Sequence, residues 1–286
     1  MRAAPLLFVF MWATGFIVAR LAAPHADPLW FLALRFGISC LILVAIAFLV
    51  GSTWPRAMEA RHAVVAGALI HGGYLGPVYW AVAHGMPAGV SALIVGLQPL
   101  LTSFFAALLI GEAIGRRQWQ GLGVGIAGIA LVVSPKLTLT ALGGITPLTI
   151  FVTIIGAASI SLGTVYQKRH AAALDLATGG AWQYAGGTIV TFLGTLLFGS
   201  FRFDATPEAW TALLWSVLVL SLGAITLLML LIRHGNVSRV SGLIFLVPAV
   251  AAAMAYLLFD ETLSAVQIAG MALCGAAVFL VTRASE

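Results

Sequence analysis

Charged residues are scarce in this sequence, and their scarcity excludes a water-soluble fold. Only 8 % of the 286 residues are Asp, Glu, Lys or Arg, whereas 62 % are hydrophobic. The mean hydropathy is +1.09. Soluble domains carry about 25 % charged residues. Apolar runs follow one another along the chain, and in lipid such runs must satisfy their backbone polar groups as helices. The sequence therefore predicts an all-α membrane protein.

Cysteine is nearly absent, and catalytic motifs are missing. Cys40 and Cys274 both lie inside apolar runs, which predicts small core residues rather than a disulfide framework. The sequence contains no Asp-rich metal motif, no His-Glu-x-x-His and no Gly-x-Ser-x-Gly. We therefore predict that the chain is not an enzyme and needs no metal and no cofactor.

Apolar segments of membrane-spanning length divide the chain into ten predicted spans. The first resembles a cleaved signal peptide, but we keep it as a span because the repeat described below needs it. No Asp or Glu lies in the middle of any span, so no proton switch built on an embedded carboxylate is evident. The predicted spans are 4–22, 29–50, 62–83, 88–110, 118–134, 142–166, 176–199, 208–232, 237–259 and 265–282.

The basic residues predict the orientation of these spans. With a cytoplasmic N-terminus, ten Lys and Arg residues fall in the inside segments and three, Arg20, Lys136 and Arg202, fall outside. Short cytoplasmic loops carry such an excess of positive charge. Both termini are therefore predicted in the cytoplasm. The net charge of +5 reflects this topology, and we predict no nucleic-acid partner.

One phrase occurs twice in the chain. "HGMPAGVSALIVGLQP" begins at His84, and "HGNVSRVSGLIFLVP" begins at His234. The match continues downstream, where Gln118 corresponds to Gln267. Upstream of the phrase, Gly15 corresponds to Gly163. We predict two five-helix copies, residues 1–135 and 136–286. Because five spans are an odd number, the second copy is inverted, as in carriers that expose one site alternately to either side.

The repeated residues resemble the EamA family of the drug/metabolite transporter superfamily, over nearly the whole chain. The resemblance implies a ten-helix inner-membrane carrier, in many cases an exporter of amino acids or other small metabolites. Asp260 stands where the first copy has Gly111, so the second "Gly-Glu" is imperfect. The residues that carry the resemblance are Trp12, Pro99, Gly111, Glu112 and Gly121 in the first copy, and Pro248, Glu261 and Gly270 in the second.

Pro99 and Pro248 predict the site, because paired helix breaks in two inverted halves point to a midplane binding site. A kink that serves only helix packing is the alternative for each proline. We expect a mostly apolar cavity with a few polar groups. Its candidate residues are Trp12, Thr14, His71, Tyr74, Tyr79, Trp80, Gln98 and Ser161.

Several ionisable residues have two interpretations. His71 contacts substrate or protons, or makes an interhelical hydrogen bond. Arg35 snorkels to the outer surface, or recognises an anion near the outer gate. Glu112 and Glu261 each stabilise the start of the helix that follows, or they act in gating or proton binding. At the helix after Glu261, Ser264 and Gln267 predict a capping box.

Together these features predict an alternating-access carrier in the cell inner membrane, exporting amino acids or similar small amphipathic metabolites. Carriers of phosphorylated sugars, nucleotide-sugars or drugs are the alternatives within the superfamily, and a membrane enzyme is the alternative from another class, which no catalytic motif supports. The predicted partners are a small-molecule substrate and the lipid bilayer, and the protein is predicted to be a monomer or a homodimer.

Overall fold

The structure is a computed structural model that describes residues 4–111, 115–133, 145–171, 174–224, 227, 246–260 and 263–282. Within these ranges the chain is predominantly helical and contains no β-sheet. A single antiparallel bridge there joins Ala26 to Phe203. The all-α class predicted from composition is confirmed for this part of the chain.

The first half of the chain forms helices that begin and end at recognisable signals. The carboxylate of Asp27 accepts hydrogen bonds from the backbone N–H groups of Leu29 and Trp30, at 3.0 and 3.1 Å, and so caps the helix that begins at Pro28. Gly111 ends another helix with a φ of 72°, in the left-handed region that glycine adopts readily. The helices are α1 (Ala4–Ala22), α2 (Pro28–Leu49), α3 (Ala57–Gly67), α4 (Gly73–Ala83), α5 (Ala88–Val95), α6 (Gln98–Ile110) and α7 (Arg116–Val133).

The second half is built in the same way. The predicted capping box is confirmed: the Ser264 N–H donates to the Gln267 side chain at 2.9 Å, and the Gln267 N–H donates to Ser264 Oγ at 3.2 Å. Thr146 and Asp175 cap two further helices. The helices are α8 (Pro147–His170), α9 (Leu176–Phe198), α10 (Pro207–Trp215), α11 (Leu246–Phe259) and α12 (Ala265–Thr282).

The predicted span 88–110 is divided in the structure. Gly96 and Leu97 form a turn between α5 and α6, and Pro99 is the second residue of α6. Proline is tolerated in the first turn of a helix because the N–H group that it lacks has no intrahelical partner there. The helix break therefore lies beside the proline at which we predicted a kink.

Four helical segments are long and apolar enough to cross a membrane, by length and composition among the described residues. Shorter apolar helices cover Leu7–Ala22 and Ala265–Ala277. Large apolar side chains point outward, as a lipid-facing surface requires: Leu49 is 85 % exposed and Phe198 is 84 % exposed. The ten-span count stays a prediction. The four segments are Pro28–Leu49, Ala88–Leu109, Pro147–His170 and Pro207–Ala224.

The helices pack around a central aromatic core. α2 packs against α9, α4 against α8, and α1 against both α11 and α10. The side chains that these helices turn inward include Phe31, Phe36, Tyr79 and Tyr184, all buried in one cluster. α7 and α12 pack against each other, with the Cys274 sulfur 4.0 Å from the carbonyl oxygen of Gly125. The small residues of this pair thus form a close helix contact.

Glycine allows α3 and α9 to approach almost backbone to backbone. A Cβ atom on Gly67 would overlap the carbonyl of Gln183, and one on Gly186 would overlap the carbonyl oxygen of Val64. Only a residue without a side chain fits at such a crossing. This contact sets the position of α3 along the axis of α9. Residues of the candidate site follow α3 directly in the sequence.

Candidate substrate-binding site

A central cavity lies between α1, α2, α4, α8 and α9. It contains about 630 Å³ of space that is not filled by atoms, including its opening. Five of the residues that the sequence singled out line the cavity: Trp12, Arg35, His71, Tyr74 and Tyr79. The wall is otherwise largely apolar. A mostly apolar cavity with a few convergent polar groups is typical of small-molecule sites.

Arg35 supplies the positive charge of the cavity wall. Its side chain lies on the inward face of α2 with Phe31, Phe36 and Ser39, at the spacing of successive helical turns, and Arg35 is only 6 % exposed. Arg35 Nε donates to Ser221 Oγ at 3.0 Å. The guanidinium carbon also lies 5.6 Å from the centre of the Phe36 ring.

A second hydrogen bond from Arg35 runs to a tyrosine of the wall, from Nη1 to Tyr79 Oη at 3.3 Å. Snorkelling to the outer surface, one of the two interpretations of Arg35, is therefore wrong. That argument considered one helix alone, whereas partners on two other parts of the chain hold the guanidinium inside.

Hydroxyl groups connect Arg35 to both halves of the chain. Tyr79 Oη, which accepts from Arg35, donates to the carbonyl oxygen of Gly15 on α1 at 3.3 Å. The Tyr184 hydroxyl donates to the carbonyl oxygen of Ser221 at 2.9 Å. Ser221 therefore accepts one hydrogen bond with its side chain and one with its backbone. The result is a network of polar groups in an otherwise apolar interior.

His71 forms part of the aromatic wall. Its ring stacks on the Tyr184 ring, with 4.4 Å between centroids and 21° between planes. The Phe36 ring lies on another side, at 5.6 Å. His71 is 8 % exposed and belongs to the cavity lining.

Wider, π-helical turns occur at two corresponding places in the chain. Ala68–Gly72, which contains His71, joins α3 to α4, and Ser216–Ala224, which contains Ser221, follows α10. The two turns begin 148 residues apart, the same separation that relates Gly15 to Gly163. Such turns are rare and concentrate at functional sites. Both of them contribute residues to the cavity wall, Leu220 in the second case.

Four residues predicted for the cavity lie elsewhere in the structure. The Thr14 hydroxyl donates to the Met11 carbonyl at 2.6 Å and accepts from the Trp215 indole N–H at 3.0 Å. Trp80 stacks on His84 at 3.8 Å. Ser161 donates to two backbone carbonyls, that of Ala157 at 2.8 Å and that of Gln98 at 3.1 Å. The cavity lining does not include these three residues or the fourth, Gln98.

The remaining predicted residues do not all fall in the described part of the chain. Glu112 and Glu261 lie outside the described residues. Pro99 and Pro248 lie near the described starts of α6 and α11, and their proposed role at the site stays a prediction.

Sequence reasoning missed Tyr184, whose ring and hydroxyl complete the wall beside Arg35 and His71. A signal was available, since Tyr184 directly follows Gln183, which lies 148 residues after Arg35, the separation that also relates Gly15 to Gly163. Two further small residues, Gly186 and Gly187, follow after Ala185 and indicate a crowded helix crossing.

No group of three or more His, Cys, Asp or Glu side chains within the described ranges is arranged to hold a metal ion. What the chain offers chemically is recognition: a buried cation, hydroxyl groups and aromatic faces inside a bundle of apolar helices. This combination is typical of a binding site for small molecules, set here in a protein whose apolar helices suit a membrane.

Comparison with known proteins gives the family. The model of the EamA-like transporter family matches residues 3–134 and, a second time, residues 147–283. The chain belongs to this family, which confirms the resemblance noted in the sequence. It is therefore a membrane transporter of the drug/metabolite transporter superfamily.

Curated relatives of similar length carry transporter names. The chain is 28 % identical to the transporter YvbV of Bacillus subtilis, over 97 % of this chain and 90 % of that protein. It is 27 % identical to the inner membrane transporter YedA of Escherichia coli, over 95 % and 87 %. It is 25 % identical to a probable amino-acid metabolite efflux pump of Salmonella typhimurium, over 96 % and 92 %.

A solved structure supports the fold. It is entitled "Crystal structure of protein", matches with a TM-score of 0.66 and is 19 % identical to this chain. The match covers 100 % of this chain and 98 % of the other. At this identity the likeness concerns the fold alone.

Proposed function

We propose that this protein is a carrier in the cell inner membrane that works by alternating access and exports amino acids or similar small amphipathic metabolites. The observation that carries the proposal is the central cavity, in which one buried arginine faces largely aromatic and apolar walls. A small solute with one charged end and one apolar end matches that surface. A relative at 25 % identity is named as an amino-acid metabolite efflux pump, and another is named as an inner membrane transporter.

The mechanism rests on ten spans in two inverted five-helix copies, residues 1–135 and 136–286. Three observations support this arrangement. The family model matches the chain twice, the π-helical turns recur after 148 residues, and several helix pairs among the described residues correspond when the two halves are exchanged. Under that exchange the contact of α1 with α11 corresponds to that of α8 with α5 and α6, while the pairs α2 with α9 and α7 with α12 map onto themselves.

Phosphorylated sugars and nucleotide-sugars fit the cavity less well. A phosphate monoester carries about 1.5 to 2 negative charges at neutral pH, whereas Arg35 is the single Lys or Arg among the lining residues. A solute with one negative group, or a zwitterion, balances that charge. The cavity therefore favours the amino-acid class over these alternatives.

Counterflow into proteoliposomes tests the function. Purified protein is reconstituted, the vesicles are loaded with one unlabelled solute, and uptake of the same labelled solute is followed for a panel of amino acids, sugar phosphates and cationic drugs. We expect saturable counterflow for one or more amino acids with apolar side chains, and none for empty vesicles. Counterflow confined to sugar phosphates or to drugs would overturn the proposal.

Labelling of introduced cysteines tests the topology. In a background with Cys40 and Cys274 replaced, cysteines at His84 and Ala205 should react with an impermeant reagent added outside intact cells, and cysteines at Ala57 and Lys168 should not. These four side chains are exposed in the structure, so their reactivity reports the side of the membrane. The reverse labelling pattern would contradict the predicted orientation, whereas the same result at Ala57 and at Ala205, which lies 148 residues later, would contradict the inverted arrangement.

A further inference from the structure

The charge of Arg35 has no acidic partner among the described residues. The ion pair recorded there joins Arg202 to Asp204, far along the chain from α2. The recorded partners of the Arg35 guanidinium are two neutral hydroxyl groups, on Ser221 and Tyr79. A buried charge is costly in a membrane interior and is normally paired. Because Arg35 lies on a cavity wall, an anionic ligand that binds in the cavity can supply the missing partner.

Hydrogen-bond geometry indicates what kind of anion fits. A guanidinium has five N–H donors in a planar fork. One on Nε and one on Nη1 are used by Ser221 and Tyr79, so the other three have no recorded partner among the described residues. The group can therefore still donate two parallel hydrogen bonds from its Nη atoms. A carboxylate accepts such a pair in bidentate geometry.

The rest of the wall restricts what is attached to the carboxylate. The residues that line the cavity with Arg35 include the rings of Trp12, Phe16 and Tyr74 and several aliphatic side chains. Neither Asp nor Glu is present among the lining residues. An ammonium group of the ligand would thus meet only aromatic faces and neutral polar groups. The cavity offers strong, directional recognition to a carboxylate and no acidic partner to an amine.

We propose that the cavity binds its substrate through one carboxylate, which Arg35 holds bidentately, while an aromatic or aliphatic portion lies against the ring-lined wall. This inference rests on the proposed function in one respect, that the cavity is the transport site. It adds that the carboxylate is the required group and that an amino group is dispensable. The substrate class is therefore apolar monocarboxylates, with amino acids as members of it.

Three related compounds distinguish the contribution of the ligand's carboxylate from that of its ammonium group. Phenylalanine has both charged groups, N-acetylphenylalanine keeps the carboxylate and loses the ammonium, and phenylalaninamide keeps the ammonium and loses the carboxylate. Binding of each to the purified full-length protein is measured by calorimetry. We expect phenylalanine and N-acetylphenylalanine to bind within about tenfold of each other, and phenylalaninamide to bind about ten- to a hundredfold more weakly, the range expected for charge-assisted hydrogen bonds. Equal or tighter binding of the amide would overturn the proposal.

Variants of Arg35 provide the second arm of the test. Arg35→Gln should weaken binding of N-acetylphenylalanine by about ten- to a hundredfold and remove its preference over phenylalaninamide. Arg35→Lys keeps the charge but not the fork, so an intermediate loss is expected. Arg20→Gln is the matched control, because Arg20 is exposed at the end of α1 and absent from the cavity lining. A folded Arg35→Gln protein with undiminished preference for the carboxylate would refute the assignment.

The two hypotheses fail in different ways. If Arg35→Gln does not fold, the comparison of acid with amide on the unchanged protein still decides the inference. If the protein carries out counterflow but prefers phenylalaninamide, the transport function stands and the carboxylate site falls. If neither carboxylate compound binds, the inference is wrong whatever the counterflow panel gives.

Discussion

Glycine at position 186 should be indispensable for stability, because the crossing of α9 with α3 leaves no room for a methyl group. A Cβ on Gly186 would overlap the carbonyl oxygen of Val64 and lie 2.9 Å from the backbone nitrogen of Ala68. Both obstructing atoms belong to backbone, so no side-chain rotation relieves the overlap. Gly37 on α2 provides the contrast, since a Cβ there would meet its nearest atom, Thr188 Cγ2, at an ordinary 3.8 Å.

The two substitutions should therefore have effects of opposite sign. Gly37→Ala removes helical glycine without a clash and should stabilise by up to about 1 kcal/mol. Gly186→Ala gains the same propensity but forces α3 and α9 apart, at a cost of about 1 to 3 kcal/mol or more. Thermal unfolding of the purified proteins in one detergent, followed by loss of the monodisperse chromatographic peak at a fixed heating rate, measures the difference.

The order expected from this reasoning is Gly37→Ala at or above the unchanged protein, and Gly186→Ala several degrees below it. A Gly186→Ala protein that is as stable as Gly37→Ala would refute the close crossing of α3 with α9. The crossing matters for the site because it lies next to the π-helical turn that presents His71 to Tyr184.

Three further substitutions separate cavity residues from structural ones. Thr14→Val should lower stability by about 1 kcal/mol and leave substrate affinity unchanged, because the Thr14 hydroxyl bonds to Trp215 outside the cavity; a large loss of affinity in calorimetry with normal unfolding would contradict this. His71→Gln should leave the response of counterflow to an imposed pH gradient unchanged, since the ring serves as a stacked wall; a lost response with intact exchange between equal pools would make His71 the coupling site. Tyr166→Phe should speed hydrogen exchange at the end of α8, because it removes the 2.7 Å hydrogen bond between Tyr166 Oη and His62 Nδ1; unchanged exchange would mean that this bond does not hold the helix end.

The helical character and the helix signals could be predicted from sequence because both are local properties. Each signal acts within a few residues. The apolar runs form helices, Ser264 and Gln267 form the capping box, and Pro99 lies in the first turn of α6. The sequence also allowed us to predict that four residues line one cavity, namely Trp12, His71, Tyr74 and Tyr79. Aromatic and polar tips placed deep in apolar helices need a common interior.

The direction of Arg35 could not be predicted in this way. On an isolated helix its side chain leans toward the near membrane surface, and that tendency supports snorkelling. In the fold, Ser221 and Tyr79 approach from elements 186 and 44 positions away in sequence. Their contacts depend on how the halves pack together. For the same reason the sequence could not show that Ser161 lies outside the cavity. Its hydroxyl donates a hydrogen bond to the Gln98 carbonyl at the break between α5 and α6.

The position of Arg35 also suggests how the substrate is linked to the conformational change that our proposal requires. A ligand shifts a two-state equilibrium only as far as its affinities for the two states differ. Arg35 on α2 contacts Ser221 in the second half and, through Tyr79, reaches Gly15 on α1. If the halves rock against each other, these contacts cannot all persist at their present lengths. A carboxylate bound to the remaining donors of Arg35 would compensate for hydrogen bonds lost on one side of the cavity, so the loaded carrier would pass more readily between its two openings than the empty one. Exchange of substrate should therefore be faster than net efflux, and Ser221→Ala should narrow the difference by removing one of the contacts that the ligand replaces. Equal rates of exchange and net efflux in the unchanged protein would show that substrate binding does not drive the transition through this cluster.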